Sequence, residues 1–372
     1  MLHANREYLK NSEELITKKA SWNFLFEQGI KHLVAEKEAG FVNTKHSMPF
    51  TKEAFQVEQE LQIADIFQRA LLVDTLIDAQ EKYPIRLQEI ITSELTYLKS
   101  VKREGGIGGW GYFPDLKELP PDVDDLAQIL QVFCKFYPKD GFKDLFEVPI
   151  ETILNNQANE DFGWETWILP KENLTKEQQL QYEWIHKAWG TGSDVDVVAN
   201  FLYALQKYDK ERFETDIQRG LQFLYNKQNQ GAWESTWYYG LYYGTFVSLR
   251  AICYGKGDKQ VVAEALAFLL NSQHADGGWS LPEQPSDSLQ TALALLGIEI
   301  ASRYLEKPID LEWLDKSLYF LANKYNENIG WESCPFIKMP MGRPSGFVHT
   351  ILTYGSSPIT NNFVSKACLQ FL

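Results

Sequence analysis

Three carboxylates stand almost side by side in the segment Asp122-Val123-Asp124-Asp125. Two prolines precede them and apolar residues recur at helical spacing after them, which predicts a helix that begins at Asp122. Like charges on one helical turn cannot all ionise readily, so at least one carboxyl group is expected to keep its proton at neutral pH. In a chain rich in apolar and aromatic residues, such an acid suits the donation of a proton to a weakly basic group.

The same residues also fit an ordinary helix start, in which Asp122 caps the helix and the other two acids favour its first turn. Other predicted helices begin with similar cap residues, at Ser193-Asp194, Ser286-Asp287-Ser288 and Ser356-Ser357. The cluster by itself leaves both interpretations open. Asp194-Val195-Asp196 resembles it but ends in Val197, so we interpret that pair as helix caps.

Composition limits the class of protein. The 372 residues are 44% hydrophobic, which is ample for a buried core, and no apolar run is long enough to predict a membrane span. A net charge of −14 argues against nucleic acid and against electrostatic docking on an anionic membrane, although transient contact with a membrane surface stays open. The chain holds 11 Trp, 18 Tyr and 22 Phe, more aromatic residues than a core alone requires.

The N-terminal sequence and the cysteines favour a cytoplasmic location. The first residues lack the apolar stretch of a secretory signal. Four widely spaced cysteines, without a CxxC pair or zinc-ligand spacing, suit reduced thiols.

A repeat appears when the tryptophans are aligned. Each copy runs from a helix end through Asn, Gln, Gly or Glu residues to a Gly-Trp pair or a close equivalent, at Trp110, Trp164, Trp233, Trp279 and Trp331, with a degenerate first copy at Gly40-Phe41. The copies lie roughly 45 to 70 residues apart, a period that fits helical hairpins.

Each repeat is followed by a second, more apolar helix, and these are predicted at 54–80, 122–136, 194–208, 243–254, 287–304 and 357–371. Amphipathic helices precede the repeats, for example at 85–101, 211–226, 260–272 and 311–324. Six outer helices that alternate with six inner ones predict an all-α fold, a single (α/α)6 barrel. We expect one domain over residues 1–372, with 169–189 as its longest polar connection, either a lid or an insertion.

The Gln…Gly-Trp repeats resemble the QW motifs of the squalene-hopene cyclase and class II terpene cyclase superfamily, and Asp122-Val123-Asp124-Asp125 matches its DxDD signature without a gap. Because the chain has only one barrel, it looks most like the small monodomain cyclases of the merosterolic acid synthase type, which act on prenylated hydroxybenzoic acids. The resemblance implies a class II cyclase in which Asp124 protonates the terminal alkene of a linear prenylated substrate. Asp122 and Asp125 would hold the proton in place and share the charge afterwards.

Protonating an alkene requires a strong acid in a dry site, since water or a base would quench the carbocation. A helix N-terminus favours the ionised carboxylate, but we expect burial and the neighbouring acids to outweigh it. Aromatic faces stabilise a cation without attacking it. The candidates to line the cavity are Trp237, Tyr239, Tyr243, Phe201, Trp189 and Tyr354. For these residues, core packing is an equal alternative, and the repeat tryptophans are expected to hold outer helices together.

Substrate anchoring requires a cation or a metal. Lys338 and Arg343 are predicted in a loop on the same rim as the aspartates, where Arg343 would hold a carboxylate or one end of a diphosphate. A solvated loop arginine is the alternative. No acidic magnesium motif is evident, Glu58 and Glu60 being the nearest candidates, so we expect no cofactor unless the substrate is a diphosphate, in which case Mg²⁺ is an option.

Four rival functions share some features of this sequence. A cyclase of a prenyl diphosphate, of the drimenyl or copalyl type, differs only in the head group. A protein prenyltransferase would require an Asp-x-Cys zinc ligand pair, which the sequence lacks. An α/α-barrel glycosidase fits the aromatic content but not the repeats or the aspartate cluster. A non-catalytic prenyl-lipid carrier would gain nothing from a buried acid at Asp124.

Overall fold

The computed structural model describes residues 21–50, 52, 57, 59–82, 87–156, 158–343 and 350–372. In chain order, its first elements are α1 (Trp22–Glu38), β1 (His46–Pro49), β2 (Leu61–Ala64), α2 (Ile66–Lys82), α3 (Gln88–Ser100), α4 (Val123–Phe136), α5 (Lys143–Asn156), α6 (Lys176–Ala188) and α7 (Val195–Asp209). They are followed by α8 (Glu214–Lys227), α9 (Tyr242–Tyr254), α10 (Lys259–Asn271), α11 (Ser288–Leu305), α12 (Leu311–Lys324), β3 (Ile337–Met341), β4 (Thr350–Tyr354) and α13 (Ser357–Gln370).

Six helices form a closed inner ring in the order α2, α4, α7, α9, α11 and α13, and α13 packs back against α2. Outer helices cover them: α1 packs on α13, α3 on α2, α5 on α4, α8 on α7, α10 on α9 and α11, and α12 on α11. The inner helices are buried nearly all round, as in α4, where every residue from Val123 to Phe133 is buried. The predicted all-α barrel of alternating inner and outer helices is therefore confirmed.

Three of the inner helices begin at a residue whose side chain caps the helix. Asp122, Asp287 and Ser356 each accept a hydrogen bond from the backbone N–H three residues further on. Because inner and outer helices alternate, all six inner N-termini lie at one end of the barrel, and the loops that carry the repeats meet there. The C-terminal halves of the inner helices point to the opposite end.

Most of the repeat tryptophans cap the C-terminal ends of outer helices. The indole N–H of Trp110 donates to the carbonyl of Leu98 in α3, at 2.7 Å. Three other pairs repeat this bond: Trp233 with Leu224, Trp279 with Leu269, and Trp331 with Leu321. Each bond satisfies a carbonyl in the last turn of an outer helix, which has no partner within the helix. Trp164 is the exception, because its buried indole N–H has no partner among the described residues.

In the last repeat, the glycine before the tryptophan allows the loop to lie close to α13. Gly330 has a φ of +73°, and a Cβ there would lie 1.9 Å from Oδ1 of Asn361. That oxygen accepts the backbone N–H of Trp331. The pair therefore joins the repeat loop to α13, and a larger residue at 330 would break the joint.

The structure differs from the sequence prediction in two segments. The helix predicted at 54–80 begins only at Ile66, and β2 occupies Leu61–Ala64 before it, although residues 53–56 and 58 lie outside the described part. Residues Leu61 to Ala64 alternate between exposed and buried, which is strand periodicity. The polar connection 169–189 contains helix α6, whose start is fixed by a capping box between Thr175 and Gln178.

Candidate active site

The aspartate cluster lies at the N-terminus of α4. Asp122 is the N-cap, and its Oδ1 accepts the backbone N–H of Asp125 at 2.8 Å. The backbone N–H of Asp122 donates to the carbonyl of Trp110, so the first helical turn is attached to a repeat loop. The exposed fractions of Asp122, Asp124 and Asp125 are 6%, 8% and 1%. Three carboxyl groups are thus almost removed from water, which an ordinary helix cap does not require.

Asp124 is held by two donors from distant segments. Oδ1 accepts the side-chain amide of Asn200, on α7, at 2.6 Å, and Oδ2 accepts the hydroxyl of Tyr238 at 2.5 Å. The ring of Tyr238 packs on Tyr243, with centroids 3.9 Å apart. The amide of Asn200 also donates to the hydroxyl of Tyr243, at 3.1 Å. Both carboxyl oxygens are therefore fixed in position.

Burial raises the pKa of all three acids. It raises the pKa of Asp124 to about 6, with a smaller upward contribution from Asp122, while the hydrogen bonds from Tyr238 and Asn200 lower it. Burial raises the pKa of Asp122 as well. The pKa of Asp125 lies well above its usual value, because of burial first and the charge of Asp122 second. Burial is the largest cause of the pKa shift in each of the three acids.

These differences separate the roles of the acids. An efficient proton donor has a pKa close to the working pH. Asp124 meets that condition, since its pKa is about 6. Asp125 holds its proton more firmly and shares a side-chain hydrogen bond with Asp122.

The cluster opens on a cavity of about 60 Å³. Its wall consists of the three aspartates and mostly apolar and aromatic residues: Phe67, Tyr112, Phe113, Leu119, Thr166, Trp167, Trp189, Val197, Trp237, Tyr238, Ile337 and Met339. The indole rings of Trp167 and Trp189 stack with centroids 5.7 Å apart, and Trp237 meets Trp167 edge-on. The space is large enough for only a few water molecules, so a longer apolar ligand requires the walls to move apart.

The predicted cavity aromatics divide into two groups. Trp237 and Trp189 line the cavity. Tyr243 lies behind Tyr238 and contacts Asn200 instead. Tyr243 therefore does not line this cavity, and the prediction was wrong for it and for three others. Phe201 faces the outer layer and packs edge-on against Trp164, Tyr239 bonds Thr353, and the hydroxyl of Tyr354 donates to the carbonyl of Thr44.

Lys338 was also predicted wrongly, because it lies on strand β3 and not in a loop. Successive side chains of a strand point to opposite faces. Ile337 and Met339 line the cavity, so Lys338 between them points away from it. Its backbone N–H donates to the carbonyl of Trp237, which attaches the strand to the cavity wall.

Arg343 is not a solvated loop arginine. It forms an ion pair with Asp194 at 3.2 Å, and its guanidinium lies 5.4 Å from the ring centroid of Trp237. Arg343 does not line the cavity itself. It lies next to Trp237, which does.

The interpretation of Asp194 and Asp196 as caps was wrong for their side chains. Oδ2 of Asp194 accepts Thr166 and the indole of Trp237, and no side-chain capping bond forms. Asp196 is fully buried and accepts the backbone N–H of Thr236. Both acids therefore hold the loop before α9 in place.

Three functional residues were missed. Asn200 is a polar residue in the apolar run Val197-Val198-Ala199-Asn200-Phe201-Leu202, and that contrast was the available signal. Tyr238 lies in the aromatic stretch that supplied the other candidates, where nothing in the sequence distinguishes it from Tyr239. Trp167 follows a repeat and had no signal of its own.

The described part of the chain shows no candidate metal site. No set of three or more His, Cys, Asp or Glu side chains there is arranged to hold a metal ion. Glu60 accepts the backbone N–H of Lys52, and Glu58 lies outside the described residues. No described helix combines the length and the apolar character needed to cross a membrane.

Comparison with known proteins defines the family. Residues 99–354 match the squalene-hopene cyclase C-terminal domain, and they are well over half of the chain. The chain therefore belongs to the squalene-hopene cyclase C-terminal domain family.

Three curated relatives share at most 29% sequence identity with this chain and are longer than it. A terpene cyclase-glycosyl transferase fusion protein of Humicola fuscoatra is 29% identical over 267 residues, 61% of this chain and 19% of that protein. Squalene–hopene cyclase of Zymomonas mobilis is 24% identical over 244 residues, 60% of this chain and 36% of that protein. Drimenyl diphosphate synthase of Streptomyces showdoensis is 24% identical over 237 residues, which are 61% of this chain and 39% of that protein. The chain thus spans well under half the length of these relatives.

Among solved structures, the type II terpene cyclase MstE from Scytonema shares the fold over its whole length. It superposes with a TM-score of 0.70 at 18% identity and covers 95% of this chain and 99% of that chain. An alpha-mannanase of Bacteroides thetaiotaomicron also superposes, with a TM-score of 0.57 at 10% identity and coverage of 94% and 96%. The barrel alone therefore does not decide the chemistry, and the site has to.

Proposed function

We propose that the protein is a class II, protonation-initiated terpene cyclase in which Asp124 is the general acid. One observation carries the proposal: a carboxyl group with a pKa of about 6 lies buried on the wall of an apolar, aromatic cavity. A buried acid destabilises the folded protein at neutral pH, which a lipid carrier has no reason to retain. A glycosidase would need two carboxylates on either side of a sugar cleft, not three on one helical turn.

The first step is a proton transfer. The π electrons of the terminal alkene take the Asp124 proton at the CH carbon, and the positive charge appears on the carbon that bears two methyl groups. The π electrons of the next alkene then form a carbon–carbon bond to that cation. Transfer of a proton from the last cation to solvent ends the sequence, and Asp124 regains a proton from solvent, so the product is an isomer of the substrate.

The hydrogen bonds to Asp124 favour this step. When the proton leaves, Tyr238 and Asn200 donate to the carboxylate that remains, at 2.5 and 2.6 Å. Hydrogen bonds to an ionised acceptor are stronger than those to a neutral one, so they stabilise the state in which the charge has developed. Asp122 and Asp125 adjoin this carboxylate and share its charge.

The cavity wall protects the cation. The ring faces of Trp167, Trp189 and Trp237 surround the space beside the acid, and aromatic faces attract positive charge without reacting with it. The indole N–H of Trp237 donates to Asp194, which fixes the orientation of that ring. The apolar residues of the wall also exclude water, which would otherwise add to the cation.

For the substrate, we favour a prenylated hydroxybenzoic acid. The Scytonema cyclase of the same fold has been solved with geranylgeranyl dihydroxybenzoate, its substrate, and with merosterolic acid A, its product. Arg343, beside Trp237, supplies the cation that a carboxylate head group requires. The second candidate is a prenyl diphosphate, which the relative that makes drimenyl diphosphate supports. Mg²⁺ would enter only with that head group.

We propose that the enzyme works in the cytoplasm, since its four cysteines are free thiols. That residues 1–372 form one domain stays a prediction.

The test is incubation of the purified protein with farnesyl- and geranylgeranyl-dihydroxybenzoate and with the corresponding diphosphates, with and without Mg²⁺. A product with the mass of its substrate but fewer alkenes is expected from one class. Asp124→Asn should form none of it while it still binds the substrate. Cyclisation by Asp124→Asn at the wild-type rate would remove Asp124 from the mechanism.

A further inference from the structure

Asn200 is held on both sides. Its side-chain N–H groups donate to Asp124 and to the hydroxyl of Tyr243, and its Oδ1 accepts Nη2 of Arg250 at 2.8 Å. A primary amide has two N–H donors and one carbonyl oxygen. All three are used here, and Arg250 is the partner of the oxygen.

The orientation of this amide decides what Asp124 meets. If the amide turned over, its oxygen would face the Asp124 carboxyl group, and two oxygens without a proton between them repel. Arginine has donors and no acceptor. Arg250 therefore fixes the oxygen of Asn200 on its own side and leaves the N–H groups for Asp124.

Arg250 comes from the other end of the barrel. It lies on α9 and lines a polar basin of about 1000 Å³ between the C-terminal halves of the inner helices. Its guanidinium lies 4.4 Å from the ring centroid of Tyr203 and 5.3 Å from that of Phe246. The side chain is only half-buried, so its charge stays near water while Nη2 reaches Asn200.

We propose that Arg250 is a positioning residue that sets the acid strength of Asp124 by fixing the amide of Asn200. The inference rests on the proposed function, in which Asp124 is the proton donor. Besides Arg250, the groups that face Asp124 are Asp122 and Asp125 at the N-terminus of α4, Asn200 and Asp196 on α7, Tyr238 in the loop before α9, and Tyr243 on α9.

The sign of the effect follows from the geometry. The Asn200 N–H stabilises the ionised form of Asp124, and so does the positive charge of Arg250, and both lower its pKa. Loss of Arg250 therefore raises the pKa. Catalysis requires protonated Asp124, so activity falls as the pH rises through this pKa, and the variant should keep its activity to higher pH. The same variant is a weaker acid, so its maximal rate falls.

The experiment compares Arg250→Met with Arg303→Met, a matched control that lines the same basin. In Arg250→Met, the alkaline limb of kcat/KM against pH should move up by about one pH unit, a tenfold change in the protonated fraction. The control should keep the wild-type limb. Arg250→Leu, which also removes the donor and the charge, replaces Arg250→Met if the latter does not fold.

A second pair of variants separates positioning from simple charge. In an Asn200→Leu background, Arg250→Met should move the limb much less, because the residue through which it acts is gone. An equal shift in both backgrounds, or no shift in either, would overturn the inference.

An infrared titration of the protonated carboxyl stretch, assigned by its loss in Asp124→Asn, follows the same pKa without substrate. Failure of the wild-type protein to cyclise any substrate would count against the proposed function, whereas the titration still decides the role of Arg250.

Discussion

The hydroxyl of Tyr238 lies 2.5 Å from Oδ2 of Asp124, although 114 residues separate the two in the chain. Burial raises the pKa of Tyr238 well above its usual value, so it stays a neutral phenol and a donor. The Asp124 carboxylate that proton transfer leaves behind therefore meets a donor already in place.

Removal of that donor gives the first prediction. In Tyr238→Phe the ring remains, but the hydrogen bond to the developing carboxylate is lost, so kcat should fall about 10- to 100-fold with little change in KM. Tyr243→Phe is the matched control, because its hydroxyl contacts Asn200 and not Asp124. Equal losses in the two variants would show that the phenol of Tyr238 has no special role.

The raised pKa of Asp124 also affects stability. Its pKa is about 6 in the folded protein and 3.8 in its unperturbed state. The folded state thus binds more protons than the unfolded state between these values, and stability declines as the pH rises through that window. Above it, the ionised group costs about 3 kcal/mol.

Asp124→Asn removes this cost and gives the second prediction. The variant should gain melting temperature relative to wild type at pH 8, and the gain should shrink or disappear at pH 4. Thermal unfolding at the two pH values measures the difference. A gain that is the same at both would mean that Asp124 is not ionised in the folded protein at pH 8.

The ion pair between Arg343 and Asp194 supplies the third prediction. If Arg343 anchors an acidic head group, Arg343→Ala should raise KM for a prenylated hydroxybenzoic acid about tenfold or more and leave its methyl ester unaffected. Asp194→Asn frees the guanidinium and should lower KM for the acid. Parallel changes for acid and ester would make the pair structural only.

The fourth prediction concerns the repeat. Trp279 and Trp164 are both fully buried, but only Trp279 donates its indole N–H to a helix carbonyl. Trp279→Phe should therefore be more destabilising than Trp164→Phe by about 1 to 2 kcal/mol in the free energy of unfolding. Urea denaturation measures both. Equal losses would show that the tryptophans contribute by volume alone.

The sequence was most informative where structure is local. Apolar periodicity and cap residues at Asp122, Asp287 and Ser356 predicted five of the six inner helices closely, and helix 311–324 was predicted to the residue. Failures occurred where long-range pairing decides. Lys338 became a strand residue because β3 pairs with β4, which no local pattern in that segment indicates.

The candidate site follows the same division. The aspartate cluster is contiguous in the chain, so it was visible. Its partner Asn200 comes from inner helix α7, 76 residues away, and its partner Tyr238 from the loop before α9, 114 residues away. Neighbouring residues of a loop point in different directions, and the loop conformation decides which aromatic ring faces the cavity. For this reason Tyr238 contacts the acid and Tyr239 does not.

Deuterium labelling tests the central claim most directly. Cyclisation in D₂O should place one deuterium, which does not exchange, on the ring carbon next to the one that bears two methyl groups, and Asp124→Asn should give no labelled product. A cyclised product without that deuterium, or with it from Asp124→Asn at the wild-type rate, would contradict protonation of the alkene by Asp124.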